Sequence, residues 1–177
     1  MAMSGKMYMG IDPGAKGFIA LQEEDGSKEF LSIADSRAVE IADFLRQRVM
    51  GNRVMCCMED VHALFGAGAG TTFSFGRVNG LLEGFLIAFG IPYVKVPPKE
   101  WQSEIWINGD KVYVSKERKS KGEIKQVRAV DTKRTSMNAA VRLFPDVDFR
   151  KSPKSKNLDD NKCDAMLICE YGRRRNM

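Results

Sequence analysis

The chain has 177 residues, 44% hydrophobic and 29% charged, enough for one core without disulfides or a structural metal. A formal charge of +5 and a pI near 9.0 favour a polyanionic partner over a neutral one, although many soluble proteins are as basic. No run approaches the ~20 apolar residues of a membrane span, and four cysteines without a Cys-x-x-Cys pair, beside the lone His62, argue against both a zinc site and a secreted disulfide framework.

Lys6 to Ile11 reads as a strand, and Gly17 to Gln22 as its hairpin partner after the Pro13-Gly14 turn. A third strand, about Lys28 to Ile33, follows Asp25-Gly26. The spacing predicts a helix from Ser36 to Val49. The apolar run Arg53 to Met58, ending in Glu59, fits a strand buried on both faces. "FGAGAGTT" reads as a loop, followed by a helix from about Ser74 to Phe89 and a short strand from Tyr93 to Val96. Pro97 and Pro98 open a short helix through Trp101. Lys111 to Arg128 holds seven Lys/Arg and two acids and reads as a mobile hairpin or loop insertion. Thr132 caps a helix to Phe144, with Met137, Val141 and Phe144 on one face, and Pro145 stops it. A second basic loop, "FRKSPKSKN", leads to a last helix from about Asp160 to Tyr171 and a "GRRR" tail. This is the order of one α/β domain with a mixed sheet. The two adjacent cysteines, Cys56 and Cys57, read as small core residues.

Three features place carboxylates where hydrophobic runs break. Asp12 ends the first strand and Glu59 the fourth; Asp160 and Asp164, four apart, share one face at the start of the last helix. If the first and fourth strands are neighbours, these acids meet, and acids that meet repel unless cations lie between them. Hard oxygen donors suit Mg²⁺ or Mn²⁺. Each acid also has an ordinary reading. Asp159 or Asp160 complements the helix dipole, Glu59 is a solvated strand end, and Asp12 caps its own turn. No Walker-type phosphate loop is present, and no nucleophile accompanies His62.

"GIDPG", "MEDVHALFGAGAGTTFSFGRVNG" and "DDNKCDAMLI", with "GIPYVKVPPKEWQ" and "RLFPDVDF", together resemble the RuvC-like Holliday junction resolvases, in particular their phage-type branch. The likeness covers most of the chain in order, except Ile107 to Val130. It implies an RNase H-like fold: a mixed five-stranded sheet, three antiparallel strands then two parallel, flanked by helices. It also implies a single nuclease domain over 1–177 carrying a basic insertion at about 107–130, a homodimer, and divalent-metal cleavage of branched DNA. The matching acids are Asp12, Glu59 and Asp164. The fourth is open: bacterial relatives space the pair as Asp-x-x-Asp, which puts Asn161 in the slot, whereas Asp160 lies four before Asp164 and Asp159 five before it.

The expected chemistry is phosphodiester hydrolysis with two Mg²⁺ (or Mn²⁺) ions about 4 Å apart, one activating water and one stabilising the leaving 3′ oxygen. Asp12 bridges, and Glu59 and Asp164 hold one ion each. Candidate DNA contacts are Phe65 or Phe73 as a wedge, Arg77 on a phosphate, Lys116, Arg118, Lys119 and Lys121 in the insertion, Lys154 and Lys156 in the second loop, and the Arg tail. Phe75 reads as core; His62 either assists the reaction or stands by. Gly76, Gly80 and Gly84 recur every four residues, for packing on the protein's own sheet or at a dimer contact, the first being preferred. The expected activity is resolution of four-way junctions by paired nicks, in the cytoplasm (the host's, if phage-encoded), with no nucleotide cofactor and no membrane partner. The rivals are a nuclease for flaps or other branched DNA, an actin-like phosphotransferase domain, and a non-catalytic DNA-binding scaffold.

Overall fold

The computed structural model describes residues 4–61, 68–120 and 123–177. The main sheet has five strands: β1 (Ser4–Ile11), β2 (Phe18–Glu23), β3 (Lys28–Ser32), β4 (Asn52–Glu59) and β5 (Tyr93–Val96). Their order is β3-β2-β1-β4-β5. β1, β2 and β3 pair antiparallel, whereas β1–β4 and β4–β5 are parallel. This is the expected mixed five-stranded sheet, three antiparallel strands then two parallel, consistent with an RNase H-like fold.

Strand parity divides the sheet into two faces. Met7, Met9 and Ile11 of β1 and Val54, Cys56 and Met58 of β4 join one core with Ile41, Phe44 and Leu45 of α1 (Ala38–Val49) and Leu82 and Leu86 of α2 (Ala69–Ala88). Cys57 and Ala20 join the opposite core, beneath α3 (Pro98–Ile105), α4 (Thr132–Leu143) and α5 (Asp160–Arg175). By the same alternation Gly10 and Asp12, and Cys57 and Glu59, belong to the α5 side. α5 is the central element of that side, with every residue from Ala165 to Gly172 buried.

β1 admits α5 because Gly10 has no side chain. A Cβ at Gly10 would stand 2.2 Å from the Ala165 carbonyl oxygen and 2.3 Å from the Cys169 nitrogen. Gly17 has a similar role in the next turn, where a Cβ would lie 1.9 Å from the Asp12 carbonyl oxygen. That turn is closed by Gly17 N–H to the Gly14 carbonyl, 2.8 Å, and Asp12 N–H to the Phe18 carbonyl, 3.1 Å.

Several boundaries differ from expectation. α2 begins at Ala69 rather than Ser74, because the alternating Ala-Gly stretch continues helically into Thr71-Thr72; Phe73 is therefore a helix residue. α3 extends to Ile105. Asp131, not Thr132, caps α4, accepting a hydrogen bond from Arg134 N–H. The inner face of α4 is Thr135, Ser136, Ala139 and Ala140, while Val141 is exposed. The insertion is an ordered β-ribbon, β6 (Tyr113–Ser120) with β7 (Glu123–Val130). α5 absorbs the Arg tail, where Arg173 and Arg174 bind Glu170 and Arg175 binds Glu104. Those arginines pair with acids one turn back or on α3.

The glycine stripe is also corrected. Among the described residues nothing lies within 4 Å of a Cβ built on Gly76, Gly80 or Gly84. The stripe faces away from the protein's own sheet, which α2 meets instead through Leu82 and Leu86. Phe75 is half-buried rather than a core residue.

Gly10→Ala is expected to lower unfolding stability by about 1–3 kcal/mol or more in urea titration, since backbone on both sides must move apart. Unchanged stability would show that α5 does not need the close approach.

Candidate functional site

β1 and β4 run parallel with Ile11 opposite Met58, so Asp12 and Glu59 leave adjacent strands side by side at their carboxyl ends. In sheets of this kind that edge is where functional groups collect. The seating of α5 on Gly10 brings Asp164, the residue before Ala165, to the same place. Asp12 and Asp164 are both part-buried, and their charges, with those of Glu59 and Asp160, act on one another.

The electrostatics follow from burial and repulsion. Asp12 is pushed up to about 7, first by burial and then by Glu59, against a hydrogen bond from the Gly14 backbone. Asp164 lies well above the usual carboxylate range, again through burial first, with Ser136 opposing and Asp12, Glu59 and Asp160 adding. Burial also raises Glu59, and a hydrogen bond from Trp101 partly offsets it. Asp160 is the exception: although burial pushes it up, the Lys133 ammonium, 2.5 Å from Oδ2, brings it below the ordinary range.

The other acids of the last motif have separate duties. Asp159 is the N-cap of α5, accepting from Asn161 N–H and Lys162 N–H at 3.1 and 3.3 Å. Asn161 turns its side-chain amide to Asp159. Asp160, by contrast, faces the acid cluster and Lys133.

Three residues near the acids were not among the candidate site residues: Lys133, Ser136 and Trp101. Lys133 and Ser136 are three apart on α4, one face of a helix, and they reach Asp160 and Asp164 on α5. Their pairing with a distant helix leaves no local trace. Trp101 had a signal, a large aromatic in a short Pro-led helix, but the carboxylate that accepts its N–H is forty-two residues away.

The donor set suits a hard divalent cation, being all oxygen. Asp164 Oδ1 is buried with no hydrogen-bond partner, which is the kind of atom an ion or a proton would satisfy. Among the described residues no three acids converge tightly enough, as they stand, to hold one ion. Side-chain rotation would have to draw them in. The residues fit the chemistry of the ion and leave its geometry open.

Of the candidate DNA contacts, Phe73 is 74% exposed. Arg77 lines a cavity of about 460 Å³ with Ala15 of the β1–β2 turn and Arg37 at the head of α1. Lys116 is exposed on β6, and Lys154 and Lys156 are exposed in the loop that delivers α5. Phe65, His62 and Lys121 lie outside the described residues, as do the side chains of Arg118 and Lys119. No helix among the described residues is long and apolar enough to cross a membrane.

No family model matches the chain, and no curated protein matches it. Among solved structures it is similar to a Thermus thermophilus RuvC in complex with Holliday junction substrate, at 12% identity and a TM-score of 0.49. It is also similar to a second Thermus thermophilus RuvC structure, at 14% identity and a TM-score of 0.45; each match covers 96% of both chains. Likeness at this level does not transfer an activity, and the fold assignment rests on the strand order and pairing above.

The raised Asp12 has a thermodynamic consequence. Its folded-state pKa, about 7 against an ordinary 3.8, means the metal-free fold binds this proton more tightly than the unfolded chain. Stability therefore falls as pH rises from about 4 to about 7, by about 4 kcal/mol for this group alone. Asp12→Asn is expected to melt above the wild type at pH 8 without metal, the gap closing toward pH 4. A variant that melts below the wild type at pH 8 would show that Asp12 is not under this strain.

Proposed function

We propose that this protein is a divalent-metal-dependent endonuclease that resolves four-way DNA junctions by paired nicks, a RuvC-like resolvase of the phage-type branch. The observation that carries the reading is the gathering of Asp12, Glu59, Asp160 and Asp164 from two neighbouring strands and one helix, partly buried and mutually repelling. Four carboxylates so arranged need positive charge, and a phosphodiester substrate needs the same cations.

In this reading Asp12, Glu59, Asp160 and Asp164 hold Mg²⁺ or Mn²⁺, most simply two ions. When bound, such ions activate water and stabilise the leaving 3′ oxygen. The chain's own groups do the rest. Asp12 is fixed by the tight turn through Gly14 and Gly17, so its carboxylate stays at the strand end. Asp164 and Asp160 are held by Ser136 and Lys133. Asp159, committed to its cap, leaves Asp160 as the better-placed fourth acid. Lys133 also brings a cation to the rim of an otherwise anionic site, where it lessens repulsion of an approaching phosphate.

Lys116, Arg118 and Lys119 of the ribbon, with Lys121, and Lys154 and Lys156 of the loop before α5, would contact DNA phosphates. Phe65 and Phe73 remain the wedge candidates, and Arg77 a phosphate contact. A homodimer suits paired cleavage, because two-fold symmetry presents two sites to the junction's two continuous strands. Its support is the outer stripe of α2: open Gly76, Gly80 and Gly84 between exposed Phe73 and Ile87. Small residues there would let two copies of the helix approach closely.

The direct test is nicking of a synthetic four-way junction with Mg²⁺, run beside a flap and a linear duplex of the same sequences. Symmetric nicks in the junction, dependent on the metal, are expected. Asp12→Asn should reduce them to background while junction binding persists. Equal cutting of the linear duplex, or full activity in the variant, would refute the assignment.

For the dimer, Gly80→Gln should shift the wild-type dimer to monomer in sedimentation velocity. A wild type that sediments as a monomer, or a variant that stays dimeric, would remove α2 from the interface.

A further inference from the structure

Trp101 lies on the inner face of α3 and is completely buried. It is flanked edge-on by Trp106, with ring centroids 6.0 Å apart and planes at 80°. A buried indole N–H must find an acceptor, and backbone carbonyls are its common choice. Here Nε1 donates instead to Oε1 of Glu59 at 2.8 Å. The donor comes from an element that packs against α5 and against Val96 of β5, so it is as fixed as the core itself. Glu59 stands at the last position of β4, where one residue of frayed pairing would let a long flexible side chain swing to solvent. The next backbone link, Asp60 N–H to the Val96 carbonyl at 2.7 Å, holds the main chain. The indole holds the side chain.

We propose that Trp101 is a positioning residue of the carboxylate site: its indole N–H ties down one oxygen of Glu59 so that the other is presented to a divalent cation. The proposal rests on the metal-dependent reading above, but not on the identity of the DNA substrate. A group that orients a ligand from behind typically changes metal affinity by 10–100-fold when removed. An indole that merely fills space would change stability and leave metal affinity alone.

The experiment measures Mn²⁺ binding to the DNA-free protein by the loss of the free-ion EPR signal, alongside the Mg²⁺ dependence of junction nicking. Trp101→Phe, which keeps an aromatic ring and deletes the donor, is expected to weaken Mn²⁺ binding 10–100-fold. The Mg²⁺ concentration for half-maximal nicking should rise by the same factor, with the rate at saturating metal largely kept. Trp101→His, which retains a ring N–H, should recover most of the affinity. A folded Trp101→Phe protein with wild-type Mn²⁺ binding overturns the proposal.

Should Trp101→Phe not fold, Trp106→Phe leaves Trp101 as the sole tryptophan of the chain's two. Its emission is then expected to change on Mg²⁺ titration, and Glu59→Gln should abolish the change. Emission indifferent to Mg²⁺ in a protein that binds the ion overturns the proposal. Trp101-dependent metal binding in a protein that nicks no junction supports the positioning role and refutes the substrate instead. A wild type that binds no divalent ion refutes both.

Discussion

The contact between α5 and β1 at Gly10 is the constraint on which this molecule turns. Helix backbone meets strand backbone there with no room for a methyl group. A closer packing of helix on sheet than side chains normally allow sets the height of α5 over β1, β2 and β4. It sets the site as well. Asp164 precedes the residue whose carbonyl touches Gly10, and Asp12 lies two residues along the strand from the same glycine. One missing side chain therefore fixes the spacing of two carboxylates that belong to distant parts of the chain. Ala165, Met166, Leu167, Ile168, Cys169 and Tyr171, all buried, supply apolar area that opposes the resulting repulsion, at roughly 25 cal/mol per Å² removed from water.

That opposition explains the uneven titration of the four acids. Asp12 and Asp164 carry the cost of burial, and both are pushed upward. Asp160, nearer solvent, is drawn downward by Lys133. Every acid has a donor, and the donors come from three places: the Gly14 backbone, Trp101 of α3, and Lys133 and Ser136 of α4. Three elements must dock before the site is polar enough to exist, so its assembly is bound up with folding. A preassembled but undercharged site of this kind favours whatever positive charge can enter it.

The acids were readable in the sequence because each interrupts a hydrophobic run, and a carboxylate in such a place demands an explanation. The five strands were readable for a related reason: β-branched and apolar runs were bounded by Pro-Gly, Asp-Gly and Gly-Asn turns. The start of α2 was not, since glycine has low helix propensity and Ala69 to Thr72 become helical through continuation of a long helix. The facing of Gly76, Gly80 and Gly84 was equally hidden, because spacing shows that small residues share a face without showing which way that face looks. The Arg tail is a different case. Arg173 and Arg174 stand three and four residues after Glu170, the spacing of helical ion pairs, so their pairing was there to be seen. Lys133, Ser136 and the Trp101–Glu59 bond depend on tertiary docking and have no local signature.

The positions of the cations follow from the same frame. Arg173 to Arg175 lie at the far end of α5, some nine to eleven residues from Asp164 and so about 14–17 Å along the helix, and are held by acids. The ribbon is tied to the other end. Val112 N–H donates to Thr135 Oγ1, and Asp131 N–H to the Val112 carbonyl. An ion pair between buried Asp110 and the more exposed Arg142, at 2.8 Å, locks the preceding turn to α4. The root of the ribbon is thus fastened to the helix that carries Lys133 and Ser136, while its two eight-residue strands extend about 27 Å outward. On one side of the ribbon Gln126 binds Ser115 and Glu117, and Arg128 stacks on Tyr113; these contacts stiffen the base. A cationic arm with a stiff base is thus rooted on the same helix, α4, that holds Asp160 and Asp164 through Lys133 and Ser136. Under the proposed function, that shared root would couple the arm's grip on a duplex to the acids that cut it.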